Sequence, residues 1–319
     1  MKTILIIYDR DGWAWARIAQ GIQKYAPPEY RVDITPLHIA RGMTHRYDAT
    51  LSMSWTEASR RPNGERHCCL VASHGIECEY PLHYLAQIPD RIATRLRNRT
   101  EASKKLPQFD SVLCVSDRLL EAAKVIVGDK AVVVYPGVDE AIFYPTCENG
   151  KGDILNVGWC GQSSGVTKGL TEIVQPLLRQ QSPSWTLDVH GNTPDNAVDQ
   201  DAMREWYNGI DVFLSTSCSE GCQMPVLEAM ACGRPVIATD AGAIPETVQH
   251  NVTGMIFPAW KTAEEALVSK ERIASLLRHM RDWRAPLWNM GRQAREYIEK
   301  YRTWKRMAPM WLKAIAGDA

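Results

Sequence analysis

Long apolar runs are missing from this chain of 319 residues. The opening Met1-Lys-Thr-Ile-Leu-Ile-Ile-Tyr-Asp9-Arg10 holds an apolar run too short for a secretion signal, and Asp9 and Arg10 close it. No later run reaches the length of a membrane span. Net charge is missing as well: 37 basic and 37 acidic side chains cancel, which speaks against a nucleic-acid binder that works through bulk charge. The nine cysteines are odd in number and scattered, with no Cys-x-x-Cys pair. That pattern lacks zinc-ligand spacing and reads as reduced, cytoplasmic usage. Without a secretory signal the sequons at Asn98 and Asn251 carry no weight. Internal repeats and low-complexity tracts are absent.

What the chain does have is alternation. Apolar strand-like runs at residues 4–8, 69–73, 111–115 and 131–135 alternate with helix-like segments at 13–25 and 119–127. A cluster of Pro, Asn and Gly at 144–153 reads as a linker between domains. A second set follows, with strands expected at 154–157, 186–190, 212–215 and 236–239 and helices at 169–179, 201–208, 225–231 and 263–280. Alternation of this kind predicts parallel sheets covered by helices, and the length suits two such domains. The expected division is 1–147, 148–300 and a final helical segment 301–319.

The densest chemistry lies in Glu220-Gly-Cys-Gln-Met-Pro-Val-Leu-Glu228, followed by Ala-Met-Ala-Cys-Gly233-Arg-Pro235. Gly221 loosens the backbone ahead of a helix, Pro225 suits a first helical turn, and Gly233 and Pro235 stop the helix. A helix N-terminus there offers unpaired N–H groups and a positive dipole end to phosphate oxygens. Glu220 falls in the loop and Glu228 inside the helix, roughly 12 Å apart at helical rise, so the two carboxylates are spaced along a ligand. Upstream, Gly161-Gln162-Ser-Ser-Gly165-Val-Thr-Lys168-Gly169 places a glycine-rich turn between a strand and a helix, with Lys168 as a point charge for a diphosphate. His74 ends an apolar run ahead of Gly75, at a strand's carboxyl end where α/β proteins bind ligands. Gly12 follows the first strand, with Trp13 and Trp15 beside it as core residues or as platforms for a sugar or base. Asp199-Gln-Asp201 imitates a metal motif, but its place before a helix suits Asp199 to capping. Residues 91–105 hold six basic side chains, among them Arg95, Arg97 and Arg99, and one acidic; Arg60, Arg61 and Arg66 extend the set. Such a run is a solvated face or a dock for an anionic acceptor.

The stretch from Glu220 to Glu228, with the turn Asp240-Ala-Gly242-Ala-Ile-Pro245-Glu246, resembles the Glu-x7-Glu signature of retaining glycosyltransferase family 4. Ala243 replaces the family's second glycine, and Gln162 stands where it often has arginine. The resemblance is specific mainly over 154–257. It implies a GT-B architecture: two Rossmann-like α/β domains facing across a cleft, with the C-terminal helix crossing back to the N-terminal domain. It implies transfer of a sugar from a nucleotide-diphosphate sugar, UDP- or GDP-linked, to a hydroxyl acceptor without a required metal or cofactor. Carried over, Glu220, Lys168 and His74 would act at the transferred sugar and leaving diphosphate. Glu228 would hold the ribose. Gly221, Cys222, Gln223, Met224, Gly161, Gln162 and Gly12 would line the donor site. Trp13, Arg95, Arg97 and Arg99 are candidates for the acceptor: a glycan, a phospholipid at a membrane surface, a phosphorylated glycan, or a hydroxymethylated base in DNA. A sugar-nucleotide epimerase or hydrolase and a non-catalytic binding module remain alternatives.

Overall fold

The computed structural model describes residues 1–12, 14–40, 43, 45–56, 64–72, 100–146, 153–162, 167–180, 183–192 and 199–318. They form two compact units, one of residues up to Asp139 together with those from Arg302 onward, the other of Glu140–Tyr301.

The N-terminal unit is built on six parallel strands, β1 (Lys2–Tyr8), β2 (Tyr30–Pro36), β3 (Tyr47–Ser52), β4 (Gly64–Val71), β5 (Ser111–Cys114) and β6 (Ala131–Val133), in the order β2-β1-β3-β4-β5-β6. A parallel sheet is covered on both faces, so its inner strands are apolar throughout; Ile4 to Tyr8 are all buried. Helices α1 (Ala14–Lys24) and α2 (Asp117–Val127) are among the covering elements. The Ser116 hydroxyl caps α2, accepting from Leu119 N at 3.3 Å.

The C-terminal unit holds β7 (Leu155–Gln162), β8 (Trp185–Asn192), β9 (Val212–Ser215), β10 (Val236–Thr239) and β11 (Gly254–Phe257), parallel and in the order β11-β10-β9-β7-β8. Its helices include α3 (Gln200–Gly209), α4 (Met224–Ala231), α5 (Ala263–Met280) and α6 (Arg284–Tyr301). In each unit the strand order reverses beside the first strand, between β1 and β3 and between β7 and β9. Open α/β sheets bind ligands at the carboxyl ends of the strands at such a reversal.

Most expected strands and helices are present, with some differences. Strands β2, β3 and β11 and helix α6 were not expected. In β3 the polar residues that read as loop are structural: the Thr50 hydroxyl meets His67 Nδ1 at 2.6 Å, and Asp48 Oδ2 accepts from Thr3 N at 2.6 Å. The helix expected at 169–179 is a wide π turn at Leu170–Val174 that tightens to a single α turn at Gln175–Leu178. Pro176 has no N–H to give to the carbonyl four residues back, so a regular α ladder cannot run through it.

The final helix α7 (Trp304–Ala316) belongs to the N-terminal unit. Trp311 Nε1 donates to Tyr135 O at 2.9 Å, and the Trp304 ring lies over Gly21 of α1. Arg66, expected to extend a basic patch, instead clamps this helix, donating from Nε to Ile315 O at 3.0 Å and from its guanidinium to the Ser111 hydroxyl. The segment expected as linker at 144–153 is gripped by the C-terminal unit where it is described. Arg295 donates to Phe143 O at 2.7 Å, and buried Asn208 donates to Tyr144 O at 3.0 Å and accepts from Thr146 N at 2.8 Å. On the other side, Lys24 and Tyr25 hold Asp139 at 2.6 and 2.8 Å. The division therefore falls between Asp139 and Glu140.

A Cβ on Gly21 would lie 2.4 Å from the Trp304 ring, and that ring is buried. Alanine ordinarily stabilises a helix over glycine by about 1 kcal/mol; here overpacking of about 1–3 kcal/mol opposes it. Gly21→Ala should therefore lower the unfolding temperature, and a rise in thermal scans would contradict this packing.

Candidate functional site

In the C-terminal unit, β9 ends at Ser215 and runs through Thr216 to Gln223 into α4, while β7 ends at Gln162 and the chain returns at Thr167-Lys168-Gly169. Thr216 ties the two loops together. Its hydroxyl donates to Lys168 O at 2.7 Å and accepts from Trp159 Nε1 at 3.1 Å, and its carbonyl accepts from Trp260 Nε1 at 2.9 Å. Cys218 N adds a bond to Thr167 O at 2.8 Å. Gly169 sits at φ +72°, where a Cβ would come within 2.6 Å of Thr216 O, so only glycine fits.

This zipper carries Lys168 to Glu220. The Lys168 ammonium donates to Glu220 Oε1, which also accepts from the Ser217 hydroxyl at 2.8 Å. Glu220 is 7% exposed; a carboxylate so far from water needs such partners. The turn after β10 supports the loop from below. Ala243 N donates to Gly221 O at 2.8 Å, and at Gly242 (φ +57°) a Cβ would stand 2.4 Å from that carbonyl. Ala243 itself has φ −84°, so the second glycine of the family pattern is not needed here. Gly221 does not take a left-handed backbone, and its carbonyl is the group for which Gly242 makes room.

Helix α4 begins as expected, with Met224 first and Pro225 in the first turn, and Gly233 (φ +71°) ends it. The side chain at its capping position, Gln223, does not cap it. Gln223, at the capping position, turns its Oε1 to the Ser215 hydroxyl, while its Nε2 is buried without a partner. Cys222 and Met224 are half-buried beside it. Glu228 is 4% exposed and accepts from Tyr207 OH at 2.9 Å. Burial, then the Glu228 charge, pushes the Tyr207 phenol well above its ordinary value, so it stays a donor. Phe143, Trp206 and Phe213 surround it with ring centroids at 6.0, 5.1 and 5.8 Å. Burial raises the Cys218 thiol to about 12, which removes it as a nucleophile.

The structure thus brings Lys168, Glu220, Gly221, Cys222, Gln223, Met224 and Glu228 onto one loop-and-helix frame at the β7/β9 reversal. Gly161 lies at the end of β7, where a Cβ would meet the Trp159 ring at 2.8 Å. Gln162 closes that strand; its side chain, with His74, Trp13, Arg95, Arg97 and Arg99, lies outside the described residues. Asp199 caps α3, accepting from Asp201 N at 3.2 Å, and Asp201 pairs with Arg204 at 2.6 Å. Among the described residues no group of His, Cys, Asp or Glu is placed to hold a metal. Sequence reading missed Thr216, Ser217 and Tyr207. The polar run Ser215-Thr216-Ser217 at a strand end signals the first two; nothing local marks Tyr207, which is 21 residues from Glu228.

In the N-terminal unit, Gly12 (φ +76°) turns the chain after β1. Asp9 lies just before it, with Oδ1 buried and unpartnered. Loss of hydration raises its carboxyl above the ordinary 3.8.

Residues 154–278 match the family model described as glycosyl transferases group 1. The Anabaena protein Alr3699/HepE, solved with UDP and glucose, superposes with a TM-score of 0.72 over 99% of this chain and 100% of its own, at 14% identity. The fold is GT-B. Among curated relatives, N-acetyl-alpha-D-glucosaminyl L-malate synthase of Bacillus anthracis is 36% identical over 107 residues, 33% of this chain and 26% of that protein. D-inositol 3-phosphate glycosyltransferase of Arthrobacter sp. (strain FB24) is 29% identical over 126 residues, 40% and 27%. The chain thus spans about a quarter of these relatives' length.

Tyr207→Phe removes one of the donors to a buried carboxylate. It should cost about 1–3 kcal/mol, read as a lower unfolding temperature; an unchanged temperature would show that the bond does not restrain Glu228. For Asp9 the folded value is raised, so its contribution is full below the unfolded value near 3.8 and is lost as pH rises through the folded one. The stability margin of Asp9→Asn over wild type should therefore widen as pH rises from the ordinary carboxylate value through the raised folded one, and a constant margin would contradict the buried placement of Oδ1.

Proposed function

We propose that the chain is a retaining glycosyltransferase of the family 4 type, moving a sugar from a nucleotide-diphosphate sugar to a hydroxyl acceptor. The observation that carries this is the Lys168–Glu220 pair, held at the strand-order reversal beside the uncapped start of α4. Cleaving a sugar–phosphate bond leaves negative charge on the diphosphate. Lys168 and the backbone N–H groups at the start of α4 would receive that charge, as preorganised donors that lower the barrier. Glu220, acceptor-only when ionised, would hold a hydroxyl of the transferred sugar while Lys168 turns to the phosphates. Glu228, steadied by Tyr207, would accept from the ribose hydroxyls. The leaving phosphate would help take the acceptor's proton, so that attack occurs on the face it leaves. His74 would stand near the transferred sugar.

Support for the donor class comes from the family match and from the UDP and glucose named for the Anabaena protein. The two relatives are named for malate and for inositol 3-phosphate. Both molecules are anionic, which favours an anionic acceptor and gives the basic residues 91–105 a use.

The test is a thermal-stability panel of UDP-, GDP-, ADP- and TDP-sugars. One of them at 100 times its dissociation constant should add about 2.7 kcal/mol; no stabilisation by any would overturn the donor-site reading. With the donor known, Glu220→Gln should reduce sugar release by about 100-fold or more while nucleotide binding stays within a few-fold. Equal loss of both would reassign Glu220 to nucleotide binding alone.

A further inference from the structure

Gln223 is, among the described residues of this frame, a buried amide whose bonding is half finished. The residue is 9% exposed, its Oε1 is occupied by the Ser215 hydroxyl, and its Nε2 is buried with no partner among the described residues. Leaving a buried amide N–H unmade is costly, and such groups in native proteins call for an explanation. The residue is also locked. Ser215 is the last residue of β9, so the carboxamide is anchored to the sheet, and Val226 N donates back to Gln223 O at 3.1 Å. The free donor thus sits at the start of an eight-residue helix with no side-chain cap.

The chemistry of the neighbours narrows the ligand. Diphosphate oxygens are matched by a cation and by backbone N–H groups, which the frame supplies through Lys168 and α4. A neutral amide donor suits a neutral oxygen. Glu220, three residues before Gln223 on the same loop, is an acceptor. A hydroxyl both donates and accepts, so an acceptor and a donor on one loop form the complement of a diol. We infer that Gln223 is the specificity-determining residue for the transferred group: its amide N–H donates to a sugar hydroxyl oxygen, so the site takes a polyhydroxylated sugar nucleotide in preference to the bare nucleoside diphosphate. Ser215 is its positioning residue. This inference rests on the donor-site reading above and adds which side chain recognises the sugar.

The experiment is calorimetric titration of wild type, Gln223→Leu and Ser215→Ala with UDP, UDP-glucose, GDP and GDP-mannose. Leucine keeps roughly the volume and removes the amide. In the pair that wild type binds, Gln223→Leu should weaken the sugar nucleotide by about tenfold while the parent diphosphate changes less than about twofold. Ser215→Ala should move the same ratio in the same direction by about threefold, and it decides the matter if the leucine variant does not fold. A purely structural role would weaken diphosphate and sugar nucleotide alike. An unchanged ratio, or equal loss of both ligands, overturns the assignment to Gln223 and leaves the donor site standing. Wild type that binds none of these four and none of the ADP- and TDP-sugars of the stability panel overturns both.

Discussion

The Thr216 bonds are the constraint on which the donor frame depends. A threonine hydroxyl has one proton and two lone pairs, and here it spends them on two different elements, the Lys168 carbonyl and the Trp159 indole. That joins the loop after β7 to the loop after β9 at the one place where the sheet's order reverses. Without the joint, Lys168 and Glu220, 52 residues apart, would belong to independent loops. With it, their ion pair is set by backbone geometry, and Gly169 and Gly242 are required because carbonyls of the adjoining loop lie where a Cβ would be.

Burial then sets what these groups can do. Glu220 and Glu228 are nearly removed from water, where an unpaired charge is costly. Each is answered by a neighbour of matched type: a cation and a hydroxyl for Glu220, a fully buried phenol for Glu228. Gln223 departs from this pattern, since its amide is satisfied on one side only. A frame complete at its charged groups and incomplete at one neutral donor is prepared for a ligand that brings a neutral acceptor.

The N-terminal unit solves a different problem, that of holding a chain end. Helix α7 is fastened through Trp311, Arg66 and the Trp304 ring against Gly21. The outgoing segment at Val138 and the returning one at Thr303 are bridged to each other. Arg66 shows why a count of basic residues is a poor guide to a binding patch: its guanidinium is consumed by a helix end and a serine.

The amino-acid pattern by itself determined the alternating strands and helices, the start and stop of α4 through Pro225 and Gly233, the capping role of Asp199, and the nearness of Glu220 and Gln223 to a helix N-terminus. All of these depend on contacts within a few residues, so composition and spacing reveal them. Strand β3 escaped because its polar residues look like loop until the neighbouring strands supply Thr3 for Asp48 and His67 for Thr50 as partners. The crossing point between the units escaped because Asn208 and Arg295, far along the chain, hold the segment that reads as linker. Only the tertiary structure decided that Lys168 meets Glu220, that Tyr207 serves Glu228, and that the Gln223 amide is left half bonded. The first two are hydrogen bonds between residues separated by a strand or more, whose geometry exists only once the sheet has brought the loops together; the third depends on how the loop after β9 folds back on Ser215.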